Sequence, residues 1–451
     1  MKELDNIQAV YFIGIGGIGM SALARFMNLK GKQVCGYDKT ETKLTRELVT
    51  EGISVTYVDA VSEVPQSIKN DKETLVVYTP AIPKDNTLLN WFRTDDYTVI
   101  KRAQLLGEVT RNTLCLAVAG THGKTTTSAI LGHLLADCDM PVTAFLGGIA
   151  ENYNSNFISR GTEITVVEAD EFDRSFLTLR PDIACVTSMD ADHLDIYEDK
   201  RNLEEAFKSF AGLLPSKENL LHKKGLPLDG KTVAVESPAD FEATNVRIEN
   251  GRYLFDLKTP NEYIRDLQFS LPGHHNLQNA VTALGMAILA GSPTNCLPKA
   301  LGNFRGVQRR FSYLIRRDDL VLIDDYAHHP TEIDALNQAV NELYPKDKKL
   351  IVFQPHLYSR TRDFIDEFAE SLARFDEVIL LDIYPAREEP MAGVTSSWLK
   401  DKISNEKVML TGKKELPAAI KASGSRIKLI VGAGDIGAEV DRITKYLCDE
   451  G

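Results

Sequence analysis

The sequence predicts an α/β protein built from three domains. Short apolar runs alternate with helical patterns nearly throughout, and that alternation means parallel sheets with helices on both faces. A strand passes through a glycine-rich turn into a helix at Gly14, again at Gly120, and again at Gly432. The chain has 451 residues, too many for one core, because single cores stop growing near roughly 250–300 residues.

Strand-like runs fall at Val10–Ile13, Leu75–Tyr78, Leu114–Ala119, Ile164–Glu168, Ile183–Thr187, Leu320–Ile323, Leu350–Phe353, Val378–Leu381 and Ile427–Val431. Helical patterns lie between them, at Met20–Leu29, Thr126–Ala136, Asn276–Leu289 and Asp363–Ala373. The breaks between sections give domains of residues 1–107, 108–310 and 311–451. Within the second, Thr232–Ser270 reads as β-rich, with turn signals at Glu249-Asn250-Gly251 and Thr259-Pro260-Asn261.

Composition narrows the class. Hydrophobic residues make up 43% and charged residues 26%, as in an ordinary globular protein. A net charge of −12 argues against a general nucleic-acid binder, which needs a basic surface. It leaves room for a local basic pocket that takes a small anion, since salt screens charge over roughly 8 Å. No apolar run reaches the ~18 residues of a membrane span. The N-terminal run Ala9–Ala24 has an acidic flank and internal glycines, so it reads as a strand and turn rather than a leader. Six cysteines show no CxxC and no disulfide framework, which suggests a reducing cytoplasm.

Gly14-Ile15-Gly16-Gly17-Ile18-Gly19 follows a strand and opens a helix, and Asp38 lies 19 residues beyond Gly19. This is the Rossmann-like pattern: a tight turn, a helix N-terminus facing a pyrophosphate, an acid for a ribose. NAD and any other nucleoside diphosphate satisfy it equally. Gly432-Ala433-Gly434-Asp435-Ile436-Gly437 has the same spacing, but only 14 residues follow it. It reads as a strand-to-helix turn near a site in a second Rossmann-like domain, not as a dinucleotide site.

The Gly120-Thr121-His122-Gly123-Lys124-Thr125-Thr126-Thr127 turn is sharper. A full Walker A sequence needs a glycine where Val118 stands. The working core survives: backbone N–H groups around Gly123, an ammonium on Lys124 for phosphates, a hydroxyl on Thr125 for Mg²⁺. The central domain is therefore of the P-loop, mononucleotide-binding type. Two acidic clusters follow, Glu168-Ala169-Asp170-Glu171-Phe172-Asp173 and Asp190-Ala191-Asp192-His193-Leu194-Asp195, each at a strand's C-terminal end. That is the ligand edge of a parallel sheet, and hard oxygen donors suit Mg²⁺. Of nine histidines, seven lie in punctuated loops, including His274, His275, His328, His329 and His356. Arg309 and Arg310 bring guanidinium groups, which grip carboxylates and phosphates, to a domain boundary.

On these residues the chain resembles the Mur ligases, ATP-dependent enzymes that add amino acids to UDP-muramoyl precursors of peptidoglycan. The likeness runs through Gly14–Ser21, Gly120–Thr127, Glu168–Asp173, Asp192–His193, Gly273–Asn279, Gly306–Phe311, Asp324–Glu332, Gln354–Arg362 and Gly432–Ile436. The combination with Gly14–Ser21 and Asp324–Pro330 points to the alanine-adding branch. The resemblance implies that the first domain holds UDP, the second ATP and the third the amino acid. It implies a UDP-sugar site at Gly14, Gly16, Gly17, Gly19, Met20, Ser21, Asp38 and Thr79. ATP would lie on Gly120, Thr121, His122, Gly123, Lys124, Thr125 and Thr126. Asn276 and Asn279 would meet its adenosine end, and Arg310 and Asp325 would reach the nucleotide. Mg²⁺ would sit on Thr125, Glu168 and His193, and Tyr326, His328, His356 and Arg360 would frame the alanine. Lys124 is the implied catalytic cation, and His193 or His328 the base.

The implied reaction joins L-alanine to the lactyl carboxylate of UDP-N-acetylmuramate through an acyl phosphate. Its partners are those two substrates and ATP, with no nucleic acid and no membrane, in a cytoplasmic monomer or weak homodimer. Two positions depart from the family. Leu357 stands where an arginine often follows Gln-Pro-His, which leaves Arg360 as the substitute. Tyr78-Thr79-Pro80-Ala81-Ile82 replaces the more usual Ser-Ser-Ala-Ile. Competing readings are a muropeptide-recycling ligase, an NAD-dependent dehydrogenase that uses Gly14–Asp38, and a nucleotide-sensing module without turnover.

Overall fold

The computed structural model describes residues 4–190, 197, 200–249, 251–386 and 388–448. It contains three sheets, of five, ten and six strands, and two compact units. The first unit takes Met1–Asn245, Phe255–Leu267 and Asn279–Phe304; the second takes Val246–Leu254, Gln268–Gln278 and Arg305–Gly451.

In the first unit, β1 (Ala9–Ile13), β2 (Gln33–Tyr37), β3 (Ser54–Thr56), β4 (Leu75–Tyr78) and β5 (Thr98–Lys101) pair in the order β3-β2-β1-β4-β5, all parallel. Every residue of β1 is buried, as a strand covered on both faces requires, and this is why its sequence is apolar without alternation. The second sheet is centred on β6 (Leu114–Ala119), which lies between β9 (Ile164–Glu168) and β10 (Ile183–Val186), parallel to both. Outside β9 come β7 (Val142–Ala150) and then antiparallel β8 (Ser155–Ser159). Outside β10 come β11 (Leu220–Lys223), β12 (Lys231–Val235), β13 (Phe241–Glu249), β14 (Arg252–Lys258) and β15 (Tyr263–Phe269), the last four of which fill the β-rich stretch read from the sequence.

The first and second sheets share one core, in which Val10 and Phe12 join a cluster with Cys115 and Ala117. The contact is made by the helix Ile18–Leu29. Phe26 meets Phe145 of β7 and Phe157 of β8 edge-on, and the buried Arg25 binds both Glu51 oxygens and Asn156 of β8. The helix Lys124–Asp137 leaves β6 and is buried over nearly its whole length.

One sequence expectation is overturned here. The structure joins Cys138, which ends that helix, to Cys296, 158 positions further along the chain. Nothing in the cysteine spacing could signal this, because packing of the Lys124–Asp137 helix on the Leu297–Asn303 helix creates the proximity. The other four cysteines are free, three of them buried.

In the second unit, β16 (Ser312–Arg316), β17 (Val321–Asp325), β18 (Lys349–Phe353), β19 (Glu377–Leu380), β20 (Val408–Leu410) and β21 (Ile427–Val431) pair in the order β16-β17-β21-β18-β19-β20. Only β16 is antiparallel. Alternate residues serve two cores: Ile323, Phe353 and Val431 face one layer of helices, and Leu322, Val352 and Ile430 the other. The helical pattern at Asp363–Ala373 becomes two helices, Tyr358–Asp363 and Ile365–Leu372, broken at Phe364. Among the described residues, no helix is long and apolar enough to cross a membrane.

Candidate active site

The turn after β6 is shaped by glycines. A Cβ at Gly120, which has φ +131°, would lie 2.1 Å from Thr187 Oγ1, so only glycine passes the end of β10 there. Gly123, with φ +83°, caps the following helix, and a Cβ there would lie 2.6 Å from Asn279 Oδ1. Asn279 is thereby pressed against the turn. Thr121 and His122 are held by Ser188, whose hydroxyl pairs with Thr121 Oγ1 at 2.9 Å and accepts from His122 N at 2.7 Å. Thr126 is buried in the helix.

Lys124 Nζ donates to Gly120 O at 2.6 Å and lies 2.9 and 2.8 Å from the two oxygens of Glu171, which is fully buried. Burial disfavours the ammonium, but Glu171, Asp170 and Glu168 together hold its pKa above the usual lysine range. Thr125 Oγ1 lies 3.0 and 3.1 Å from the oxygens of Glu168. A Cβ at Gly147 of β7 would overlap that carboxylate, so glycine makes its room. The hydroxyl and carboxylate are hard oxygen donors at a phosphate-type turn, which fits Mg²⁺ by donor chemistry. His193, the third expected ligand, lies outside the described residues. Among those described, no group of three or more His, Cys, Asp or Glu is arranged to hold a metal.

The turn after β1 is built differently. Gly14 has φ +87° and packs on Thr79, whose methyl would lie 3.0 Å from a Cβ there. Gly14 N and Ile15 N donate to Tyr37 O, and Gly17 N to Gly14 O. Gly16 N donates to Asp38 Oδ2 at 2.8 Å, and Thr40 N donates to Asp38 Oδ1. Asp38 thus ties the turn together. Met20 and Ser21 point inward. Ser21 is fully buried, its hydroxyl donating to Ile18 O and accepting from Asn156. Arg102, which the sequence did not single out, lies over Gly19: a Cβ there would be 2.6 Å from Arg102 Nη1.

The second unit gathers its own set. Asp325 accepts from Phe311 N at 2.7 Å and Ala327 N at 2.8 Å, and burial raises its pKa. The Tyr326 ring has Arg309 and Arg310 each 5.0 Å from its centre. His328 Nδ1 lies 3.0 Å from Tyr326 O, and its backbone N–H donates to Glu332. The His356 ring stacks on Tyr384 and lies 6.0 Å from the His328 ring. Buried Arg360 reaches His356 Nδ1 at 3.4 Å. Leu357 sits at φ +72° with its side chain buried, so it contributes packing. Asn276 is tied to Pro272 O at 2.7 Å.

The Gly432–Gly437 turn is packed by protein. Cβ atoms at Gly432, Gly434 and Gly437 would meet Gln354 O, Gln354 Oε1 and Arg309 at 2.8, 2.4 and 2.4 Å. Arg309 also donates to Gly432 O at 2.6 Å. Sequence reasoning gave no role to Glu171, Arg102 or Glu332, which the structure brings beside the predicted residues. Glu171 and Glu332 stood inside quoted motifs, yet only folding shows which charge is buried and which partner it meets.

Three sheets, each with a strand-turn-helix passage at its ligand edge, define a multidomain nucleotide-using enzyme. The chain belongs to the Mur ligase family: residues 9–113 match the Mur ligase family catalytic domain, 118–287 the middle domain, and 309–435 the Mur ligase glutamate ligase domain. More particularly, it is 57% identical over all 451 residues, covering 100% of both chains, to the UDP-N-acetylmuramate–L-alanine ligase of Christiangramia forsetii. It is 46% identical, over 99% of both chains, to the ligase of that name in Parabacteroides distasonis. The crystal structure of UDP-N-acetylmuramate-alanine ligase from Thermotoga maritima superposes with a TM-score of 0.84 at 26% identity, covering 98% of this chain and 100% of that one. A murein peptide ligase from Psychrobacter arcticus, with a TM-score of 0.71, 20% identity and 98% of each chain covered, shares the fold.

Proposed function

We propose that this enzyme joins L-alanine to the lactyl carboxylate of UDP-N-acetylmuramate at the expense of ATP, a step of peptidoglycan precursor synthesis. The observation that carries this reading is the end-to-end identity of 57% to a ligase of that name. Residues 1–107 take the UDP-sugar, 108–310 the ATP and 311–451 the amino acid.

A carboxylate is a poor electrophile. Transfer of the γ-phosphoryl group of ATP to a lactyl oxygen releases ADP and makes an acyl phosphate. The free amine of L-alanine attacks its carbonyl carbon, the C–O bond to phosphate breaks, and the amine proton leaves to a base. Lys124 neutralises charge on the transferring group, and its hold on Gly120 O and Glu171 fixes the ammonium beforehand. Thr125 and Glu168 would hold Mg²⁺, which supplies positive charge at the phosphate oxygens when bound. Arg310 and Asp325 serve the nucleotide, and Tyr326, His356 and Arg360 the alanine. His193 or His328 takes the amine proton; His328 Nδ1 lies 3.0 Å from Tyr326 O. The enzyme works in the cytoplasm as a monomer or weak homodimer.

The dehydrogenase reading would leave the Lys124 turn idle, and the match of residues 118–287 to the Mur ligase middle domain speaks against it. The test is phosphate release with UDP-N-acetylmuramate, ATP and Mg²⁺ across a panel of amino acids, with the free recycled tripeptide as competitor. L-Alanine should give the highest kcat/KM. Release driven by the tripeptide and not by alanine would replace this reading with the recycling ligase.

A further inference from the structure

The nucleotide-sugar site as the sequence describes it lacks a cation. A pyrophosphate brings negative charge to a turn that already carries the Asp38 carboxylate. The usual remedy, backbone N–H groups aimed at the phosphate, is largely taken. Gly14, Ile15, Gly16 and Gly17 all donate within the protein, to Tyr37 O, Asp38 and Gly14 O. The fold brings the guanidinium of Arg102 to this place. Arg102 opens the helix Arg102–Val109 at the C-terminal end of β5, and it lies against Gly19 so closely that a methyl there would collide with it. Its other Nη lies 3.4 Å from Asp170 Oδ2. That contact is long for a guanidinium–carboxylate pair and leaves both groups partly exposed. Asp170 belongs to the acidic segment that surrounds Lys124. The segment after it, Phe172–Thr178, packs on the Arg102–Val109 helix, with Thr178 Oγ1 donating to Ala103 O.

We infer that Arg102 binds the pyrophosphate of the nucleotide sugar, and that it is shared with Asp170, so that filling the first site releases a carboxylate beside the ATP turn. The inference rests on the function proposed above. Arg102 changes partner from a protein anion to a substrate anion, so the two sites are coupled in both directions. An arriving nucleotide sugar frees Asp170, and anything that draws Asp170 toward the ATP side frees Arg102.

The test is equilibrium binding of UDP-N-acetylmuramate without ATP or Mg²⁺, with steady-state kinetics alongside, for wild type, Arg102→Ala, Arg102→Lys and Asp170→Asn. Loss of a charge-assisted contact should weaken binding and raise KM for the nucleotide sugar on the order of 10- to 100-fold in Arg102→Ala. KM for alanine should move little, and Arg102→Lys should recover part of the loss. Asp170→Asn keeps the acceptor for Phe172 N and should tighten binding about two- to five-fold, the worth of an exposed ion pair. An unchanged KM in Arg102→Ala overturns the inference. So does equal weakening by Arg102→Ala and Asp170→Asn, which would make the pair a structural strut. If Arg102→Ala does not fold, the direction of the Asp170→Asn change decides. Wild type that binds no UDP-N-acetylmuramate overturns the proposed function itself, a result distinct from these.

Discussion

The turns Gly14–Gly19 and Gly432–Gly437 share one spacing and differ in what fills them. In the later turn, all three template glycines press on the protein's own groups, Gln354 and Arg309. In the earlier one Gly14, Gly16 and Gly19 likewise press on Thr79, Asp38 and Arg102, but a fourth glycine, Gly17, stands where the later turn has Asp435, and a Cβ there would meet nothing closer than Gly14 O at 3.4 Å. A glycine pattern reports that something approaches the backbone closely. It does not report whether that something is a ligand or a side chain.

The largest effect should come from the turn that carries a cation. Lys124→Ala is expected to lower kcat on the order of 10²- to 10³-fold, read as ATP-dependent phosphate release. Near wild-type turnover would show that Lys124 does not serve the transferring phosphoryl group.

Next is a pH effect at the later turn, where Arg309 links Asp324 to Gly432 O. Burial pushes the Asp324 carboxyl up to about 6, against the pull of Arg309. Between about pH 4 and 6 the folded protein keeps a proton that the unfolded chain has lost. The contribution of this carboxyl to stability is therefore fully present below about pH 4 and is lost as pH rises through about 6, by up to roughly 3 kcal/mol. Asp324→Asn should flatten that part of the profile in denaturant titrations at stepped pH; an unchanged slope would refute it.

Two glycine substitutions then separate the turns directly. Gly434→Ala would push on Gln354, which is fixed by bonds to Asp435 and Ile436 N, and on Tyr384. It should cost about 1–3 kcal/mol of stability. Gly17→Ala should change stability by no more than about 0.5 kcal/mol, because its φ of −64° suits any residue. It should instead raise KM for the nucleotide sugar. If Gly17→Ala unfolds the protein and spares KM, the contrast between the turns is gone.

Much of this molecule was legible in the sequence. Central strands such as β1 and β6 are buried on both faces, so their continuous apolar runs announced them. Exposed β20 has only three residues and carried no such signal. The turns were legible because glycine, lysine and threonine are adjacent in the chain. Arg102 was not, because its partners Gly19 and Asp170 are 83 and 68 residues away. The same distance problem hid the Cys138–Cys296 bond and the choice of Glu171, rather than its neighbours, as the acid that meets Lys124.

That last contact bears on how the enzyme takes up its nucleotide. The ammonium of Lys124 has a buried counterion in Glu171. On the function proposed above, a triphosphate would compete with that carboxylate for the ammonium, so that nucleotide binding would be an exchange of one anion for another.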